Sequence, residues 1–306
     1  MTRNAESVLS VSRRTDIPAF YLTWFMQGIE KGYFEVKNPY NGQTRTVDAS
    51  PDAVHTIVFW SKNFRPFLRS DIGDRLIRAG YHLYFHFSLN SESDLLEPNV
   101  PPLEERLEQL SRLCERFGGS CVAWRFDPVC FYRVDGSHLQ NNLSDFPQIA
   151  DTAHTAGVKR CITSFMDQYR KILRRLSCLK EKGETVPEPV DADLNTRKRV
   201  IRRMADLLAE KGIGLELCCE KALLTELEGN SHVRASACIS GGIFETLFGG
   251  NPDKRRDRGQ RSDQGCMCTR SVDIGSYDEH PCLHNCLFCY ANPQIDREIK
   301  AKRGGS

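Results

Sequence analysis

"AVHTIVFWSKNFRPFLRSDIGDRLIRAGYHLYFHFSLN" (residues 53–90) contains one complete unit of the architecture. Its first part, 53–63, is a β-branched and aromatic run ending in Ser61-Lys62-Asn63, and it reads as a buried strand. Residues 64–80 read as a helix stopped by Gly80. Residues 81–90 read as a second strand, again polar at its far end. A strand returned by a helix to another strand makes a parallel β-α unit.

The same rhythm extends in both directions. "SVLSVSRRT" (7–15) is a short strand followed by a helical pattern at 19–32, and 33–49 reads as a hairpin turning at Asn41-Gly42. Residues 101–119 form an amphipathic helix with Leu103, Leu107, Leu110 and Leu113 on one face. Strands are expected at 121–129, 160–168, 213–220 and 234–240, with a long helix at 193–212 and a linker at 181–193. The expected fold class is α/β, a partial or complete (β/α) barrel over residues 1–240. A Cys-rich segment, 241–306, is expected to close over its mouth.

Composition narrows the class. Of 306 residues, 40% are hydrophobic and 27% charged, as in soluble globular proteins. No run of about 18 apolar residues exists, so no membrane-spanning helix is expected. Arg13 and Arg14 precede any long apolar stretch, so the start does not read as a signal peptide, and a cytoplasmic location is expected. The net charge of +2 is neutral in its implications. Two stretches are basic: 197–203 has the spacing of a solvated helix face, and 253–261 reads as a loop able to meet a polyanion, though without interleaved aromatics.

Thirteen cysteines without a secretory signal point to metal, cluster or redox chemistry rather than a disulfide framework. Cys114, Cys121, Cys130, Cys161 and Cys178 are scattered in apolar surroundings and read as small core residues. The other eight lie in the last third. Six strands end in polar groups, "SRRTDIP", "WSKN", "SLN", "RFDP", "SFMDQ" and "LCCE", and in a parallel sheet those ends form the active face. One polar pocket is expected there.

"DEHPCLHNCLFCYANPQ" (278–294) places Cys282, Cys286 and Cys289 in a C-x3-C-x2-C spacing with Tyr290 next to the third. Zinc prefers four ligands, and a ferredoxin-type cluster also takes four cysteines. A redox pair needs only Cys286 and Cys289. A [4Fe-4S] cluster on three thiolates leaves one iron open. Cys219, Cys238, Cys266 and Cys268 form a second candidate set, for another [4Fe-4S] cluster or for zinc, with the C-x-C spacing favouring iron. Alternation along the strand turns Cys218 away from Cys219 and into the core.

The spacing of Cys282, Cys286 and Cys289 resembles the signature of radical S-adenosyl-L-methionine (SAM) enzymes. That resemblance implies a [4Fe-4S] cluster whose open iron binds SAM, and reductive cleavage of SAM to a 5′-deoxyadenosyl radical. It also implies a reducing electron donor such as flavodoxin or ferredoxin. "FWSKN", "FSLN", "LEPNVPPLEERL" and "WRFDPV" resemble stretches of spore photoproduct lyase over roughly residues 8–130. The whole chain, from "SVSRRTDIPAFY" to "DIGSYDEHPCLHNCLFCYAN", is more similar to domain of unknown function family 1848.

By the lyase resemblance Lys62 pairs with the SAM carboxylate, and Ser88 and Asn90 of "FSLN" lie in the cofactor site. Arg13, Arg14 and Asp16 are candidates for SAM or substrate contacts, and Arg125 and Asp127, at i and i+2, share the interior face. Ordinary radical SAM enzymes carry the cysteine loop after the first strand. Here it comes last, which requires a final strand to return beside the first. Two alternatives stay open: a DNA or RNA repair or modification enzyme related to the lyase, and a non-catalytic Fe-S or zinc protein. The substrate is not specified by any pattern, and nucleic acid is one option.

Overall fold

The structure, a computed structural model, describes residues 6–38, 41–291 and 293–296. Its strands in chain order are β1 (Ser7–Val11), β2 (Tyr33–Lys37), β3 (Thr44–Asp48), β4 (Val54–Ser61), β5 (His82–Ser88), β6 (Val122–Val129) and β7 (Phe131–Arg133). They continue with β8 (Gln140–Asn141), β9 (Arg160–Phe165), β10 (Glu188–Pro189), β11 (Gly214–Leu217), β12 (Val233–Ala235) and β13 (Val272–Asp273).

Eight of these form one sheet in the order β12-β11-β9-β6-β5-β4-β1-β13, every pair parallel. From β1 to β12 the spatial order follows the chain, the winding of a β/α barrel. β13 then returns to the other edge and pairs with β1, Leu9 opposite Val272. The final strand beside the first, required by the late cysteine loop, is therefore present. Within the described part of 241–306, β13 is an edge strand of the main sheet; residues 297–306 lie outside the described residues.

Period-two alternation divides the sheet into two faces. Leu9, Ile57, Phe59, Phe85 and Trp124 face the helices Leu22–Lys31, Leu103–Phe117, Phe146–Thr155 and Leu194–Glu210 in the main core. Val8, Val58, Tyr84, Ala123 and Ile162 on the other face pack against Cys238, Ile239, Phe244, Cys266 and Cys268. Residues from the last third of the chain thus fill the side that the helices leave free. Buried charge on this face is paired: Arg160 holds Glu216 through two nitrogens at 2.7–2.8 Å and donates to the Tyr84 hydroxyl at 2.6 Å.

Several local expectations change. Residues 64–80 form two helices, Arg65–Arg69 and Ile72–Arg78, interrupted where Ser70 is extended. The 181–193 linker contains β10, which pairs antiparallel with β7. Helices Phe146–Thr155 and Arg170–Glu181 occupy amphipathic stretches to which the sequence reading assigned no element. In the basic stretch at 253–261 the cations are exposed and several have partners at the surface: Lys254 pairs with Glu245, Arg255 with Asp253 and Arg261 with Asp167, while Arg256 donates to the Cys266 carbonyl. Among the described residues no helix is long and apolar enough to cross a membrane.

Candidate functional site

The polar strand ends do converge, and Asp16 organises them. It is 5% exposed and caps the helix Ile17–Phe20 by accepting from the Ala19 N–H. The Ser61 hydroxyl lies 2.7 and 2.9 Å from its two oxygens, the Lys62 N–H donates to Oδ2 at 2.8 Å, and His284 Nε2 lies 2.8 Å from the same oxygen. One carboxylate therefore joins the loop after β1, the end of β4 and the C-x3-C loop. Its oxygens are fully engaged with the protein, which makes Asp16 a positioning residue rather than the cofactor contact expected from sequence.

Lys62 has its own anion. Its ammonium lies 2.7 Å from Glu97 Oε1, with only 17% and 10% of the two side chains exposed. Burial alone lowers the Lys62 pKa, but the charges of Glu97 and Cys286 raise it on balance. Burial works the other way on Glu97, and Lys62 brings its carboxyl below the usual range. Asn90 braces this pair: its Nδ2 donates to Glu97 Oε1 at 2.8 Å and its Oδ1 accepts from the Asp127 N–H at 2.9 Å. Asn90 is thus spent on protein contacts. Ser88 stands opposite Arg125 in the β5–β6 register.

Arg125 pairs with Asp127, donates to Cys238 Sγ at 3.0 Å and lies 5.2 Å from the Trp60 ring centre. Arg13 lies 5.1 Å from the same ring. Arg14 instead donates to the Gly275 carbonyl at 2.9 Å. Arg13 Nη2, Trp60 Nε1 and Glu97 Oε2 are buried without a hydrogen-bond partner among the described residues. Buried polar atoms of this kind cost stability unless something else satisfies them.

The C-terminal cysteine loop is docked on this region from several sides. Tyr21 donates its hydroxyl to the Pro281 carbonyl at 2.6 Å, and His280 packs against Tyr21 and Trp24 at 4.9 and 4.2 Å. Leu287 N–H bonds to the Leu96 carbonyl, and Asn99 to that of Leu283. Arg175, fully buried, ion-pairs with Asp296 and donates to the carbonyls of Leu287 and Cys289. Asn285, between two of the cysteines, has a φ of 55°, a left-handed turn that asparagine tolerates. Cys282, Cys286 and Cys289 are free thiols and electrostatic neighbours, and burial pushes Cys282 and Cys286 above the ordinary thiol value.

The second set is larger than expected. Cys218 Sγ lies 3.8 Å from Cys219 Sγ and 3.7 Å from Cys238 Sγ, so it joins the set instead of the core. The strand ends at Leu217, and Cys219 adopts φ 61°, which breaks the alternation assumed for the pair. Cys238, Cys266 and Cys268 are buried in one cluster on this face, with Cys218 and Cys219 packed against it. The neighbouring Cys218 thiol holds Cys238 below the usual thiol pKa. Among the described residues, no three His, Cys, Asp or Glu side chains are grouped as the ligands of one metal ion.

Two functional residues carried no separate signal in the sequence, Glu97 and His284. Both lay in plain view, Glu97 in "LEPNVPPLEERL" and His284 inside the C-x3-C spacing, but only the tertiary contacts give them roles.

The fold and site define an α/β protein with a singly wound parallel sheet and two thiol groups at its strand ends. Residues 8–291 match the family described as Domain of unknown function (DUF1848), and the chain belongs to that family. No curated protein matches the sequence. Among solved structures it is similar to a putative sugar phosphate isomerase/epimerase from Anabaena variabilis ATCC 29413, with 11% identity, 98% of each chain covered and a TM-score of 0.36. It is also similar to D-hydantoinase from Bacillus sp. AR9, with 14% identity, 66% of this chain and 46% of that chain covered and a TM-score of 0.31. The chain thus spans about half the length of that D-hydantoinase. Likenesses this distant say nothing about chemistry.

Proposed function

We propose that Cys282, Cys286 and Cys289 hold a [4Fe-4S] cluster with one iron open to SAM, and that the protein is a radical SAM enzyme. The observation that carries this reading is the docking of the last-placed cysteine loop at the C-terminal end of β1, through Asp16–His284 and Tyr21–Pro281. That is where a loop following the first strand would lie.

The residues present suit the cofactor. Three free thiols leave one cluster position without a protein ligand. Lys62 and Glu97 present one cation and one anion beside Cys286, the complement of the zwitterionic methionine end of SAM. Glu97 Oε2 and Arg13 Nη2 have polar capacity to spare among the described residues. Bound there, the cluster and SAM would supply a 5′-deoxyadenosyl radical for hydrogen abstraction, with the electron delivered by a donor such as flavodoxin or ferredoxin. The chain's own part is to fix the loop through Asp16 and Arg175 and to keep Lys62 charged through Glu97.

Anaerobic reconstitution with iron and sulfide tests the reading, followed by electron paramagnetic resonance with and without SAM. The expected result is a reduced [4Fe-4S] signal that changes on adding SAM, with 5′-deoxyadenosine formed under reducing conditions, both lost in Cys286→Ala. A cluster spectrum indifferent to SAM overturns it and leaves a structural or electron-transfer protein.

A further inference from the structure

The face of the sheet opposite the helices continues past its apolar row. Val58, Tyr84 and Ala123 are buried on that face, and one alternation further along the same strands stand Trp60, His86 and Arg125. The register makes Trp60 and His86 direct neighbours and brings Arg125 one step beyond them, opposite Ser88. Arg13, from the turn after β1, completes the group. His86 is fully buried and stacks on the Trp60 ring at 4.0 Å, while the Arg13 and Arg125 guanidiniums lie over that ring at 5.1 and 5.2 Å. His86 adds no charge: burial and the charge of Arg125 lower its pKa well below the ordinary value, and its Nε2 lies 2.7 Å from the Cys238 carbonyl. Two cations therefore meet over one braced aromatic ring, at the strand ends where parallel sheets bind ligands.

Their protein partners differ. Arg125 ion-pairs with Asp127 and donates to Cys238 Sγ at 3.0 Å. Among the described residues the Arg13 guanidinium donates to one neutral group, the Ser271 hydroxyl at 3.2 Å, and its Nη2 is buried without a partner. Asp273 is its carboxylate neighbour, but that side chain accepts from the Ser10 and Ser12 hydroxyls and from the Arg13 main-chain N–H, and it lies 3.9 Å from Arg14. Trp60 Nε1 is a second buried donor without a partner among the described residues. A buried cation with no anion of its own is costly, and an oxyanion that accepts from the guanidinium fork removes that cost.

We infer that Arg13 and Trp60 bind an oxyanion of the substrate, a carboxylate or a phosphate, with Arg125 adding its charge over the same ring. This gives the site proposed above a substrate class, an acidic molecule, and rests on that reading for the reaction the molecule undergoes. It leaves Lys62 and Glu97, beside Cys286, for the methionine end of SAM. The two sites share a wall, since the Tyr290 hydroxyl, next to Cys289, donates to the Arg13 carbonyl at 3.3 Å. Cys238 becomes a positioning residue: its carbonyl holds His86 and its sulfur holds Arg125.

Calorimetric titration of the metal-free protein with inorganic phosphate and, separately, with succinate tests this. At least one probe is expected to bind saturably and to change the emission of Trp60, one of three tryptophans, with Trp60→Phe losing that change. Tighter phosphate points to a phosphorylated substrate and tighter succinate to a carboxylic acid. Arg13→Met should weaken binding by roughly 10- to 100-fold, the worth of a hydrogen bond to a charged group. Arg13→Lys, which keeps the charge and loses the fork, should fall between and carries the comparison if Arg13→Met does not melt cooperatively. No saturable binding of either probe at millimolar concentrations, or unchanged affinity in both Arg13 variants, overturns the inference. The titration contains neither metal nor SAM, so a cluster spectrum indifferent to SAM leaves the anion site standing, and failure of the titration leaves the SAM reading untouched.

Discussion

Replacing Asp16 with asparagine keeps the shape of the side chain and changes one oxygen into a donor. Oδ2 receives the Lys62 N–H and faces His284 Nε2, both at 2.8 Å, while Oδ1 receives the Ala19 N–H at 3.0 Å and the Ser61 hydroxyl. An amide in either orientation sets its NH2 against a backbone N–H that it cannot satisfy. Hydrogen bonds to a charged group contribute about 1.5–3 kcal/mol each, so the loss of two costs roughly 3–6 kcal/mol. With an unfolding entropy of about 2.1 cal/mol/K per residue, a chain of 306 residues loses roughly 5–9 °C in Tm. Scanning calorimetry of the metal-free proteins at pH 7.5 measures this directly. His284→Asn removes the tether to the cysteine loop together with the Asn99 carbonyl contact and the packing on Phe20, and should show a drop of similar size. If Asp16→Asn melts within about 1 °C of wild type, the carboxylate does not join the three segments and the docking argument fails.

The Lys62–Glu97 pair sets a pH dependence. Because the folded pKa of Glu97 is lowered, its stabilisation is full above the unfolded value of about 4.3 and is lost as pH falls through the lower folded value. The stability gap between wild type and Glu97→Gln should therefore be about 3–5 kcal/mol near pH 7 and shrink below about pH 4 in urea titrations; a gap that ignores pH refutes the pairing. Arg175→Met strands the Asp296 carboxylate and two buried carbonyls. It should destabilise by about 3–5 kcal/mol and speed proteolysis within residues 280–291, whereas unchanged cleavage would show that the loop is held by other contacts. Gly275→Ala brings a Cβ to 2.2 Å from Ser12 Oγ, which donates to Asp273 at 2.6 Å. Displacing that hydroxyl should cost about 1–3 kcal/mol, read as a lower urea midpoint, and a neutral result would mean that Ser12 turns away freely.

Sequence periodicity was enough to read the repeating scaffold. Runs such as 53–63 and 81–90 are buried on both faces, so they are apolar throughout, and their polar ends marked the functional side of the sheet. Interruptions set by tertiary packing were not legible: Ser70 splits a helix, and β10 forms only because β7 lies beside it. At the site, residue type was readable and partnership was not. The buried ammonium of Lys62 signalled that an anion was needed, but Glu97 lies 35 positions away and nothing local pointed to it. Cys218 was misplaced because strand alternation was carried one residue beyond the end of β11, where the backbone turns.

The pairing of β1 with β13 has a consequence for assembly. Ser10 and Ser12 bond Asp273 across separations of 263 and 261 residues, and Asp16 meets His284 across 268. Closing so long a loop costs little extra stability, about 0.6 kcal/mol per doubling of length, but contacts this distant form late. At a synthesis rate of about 5–20 residues per second, β1 waits on the order of ten to fifty seconds for its edge partner. During that interval the other strand ends are made but uncovered. Residues 218–268 can fill the open face of the sheet before residues 272–291 close its edge, so the order of the sequence doubles as an order of assembly.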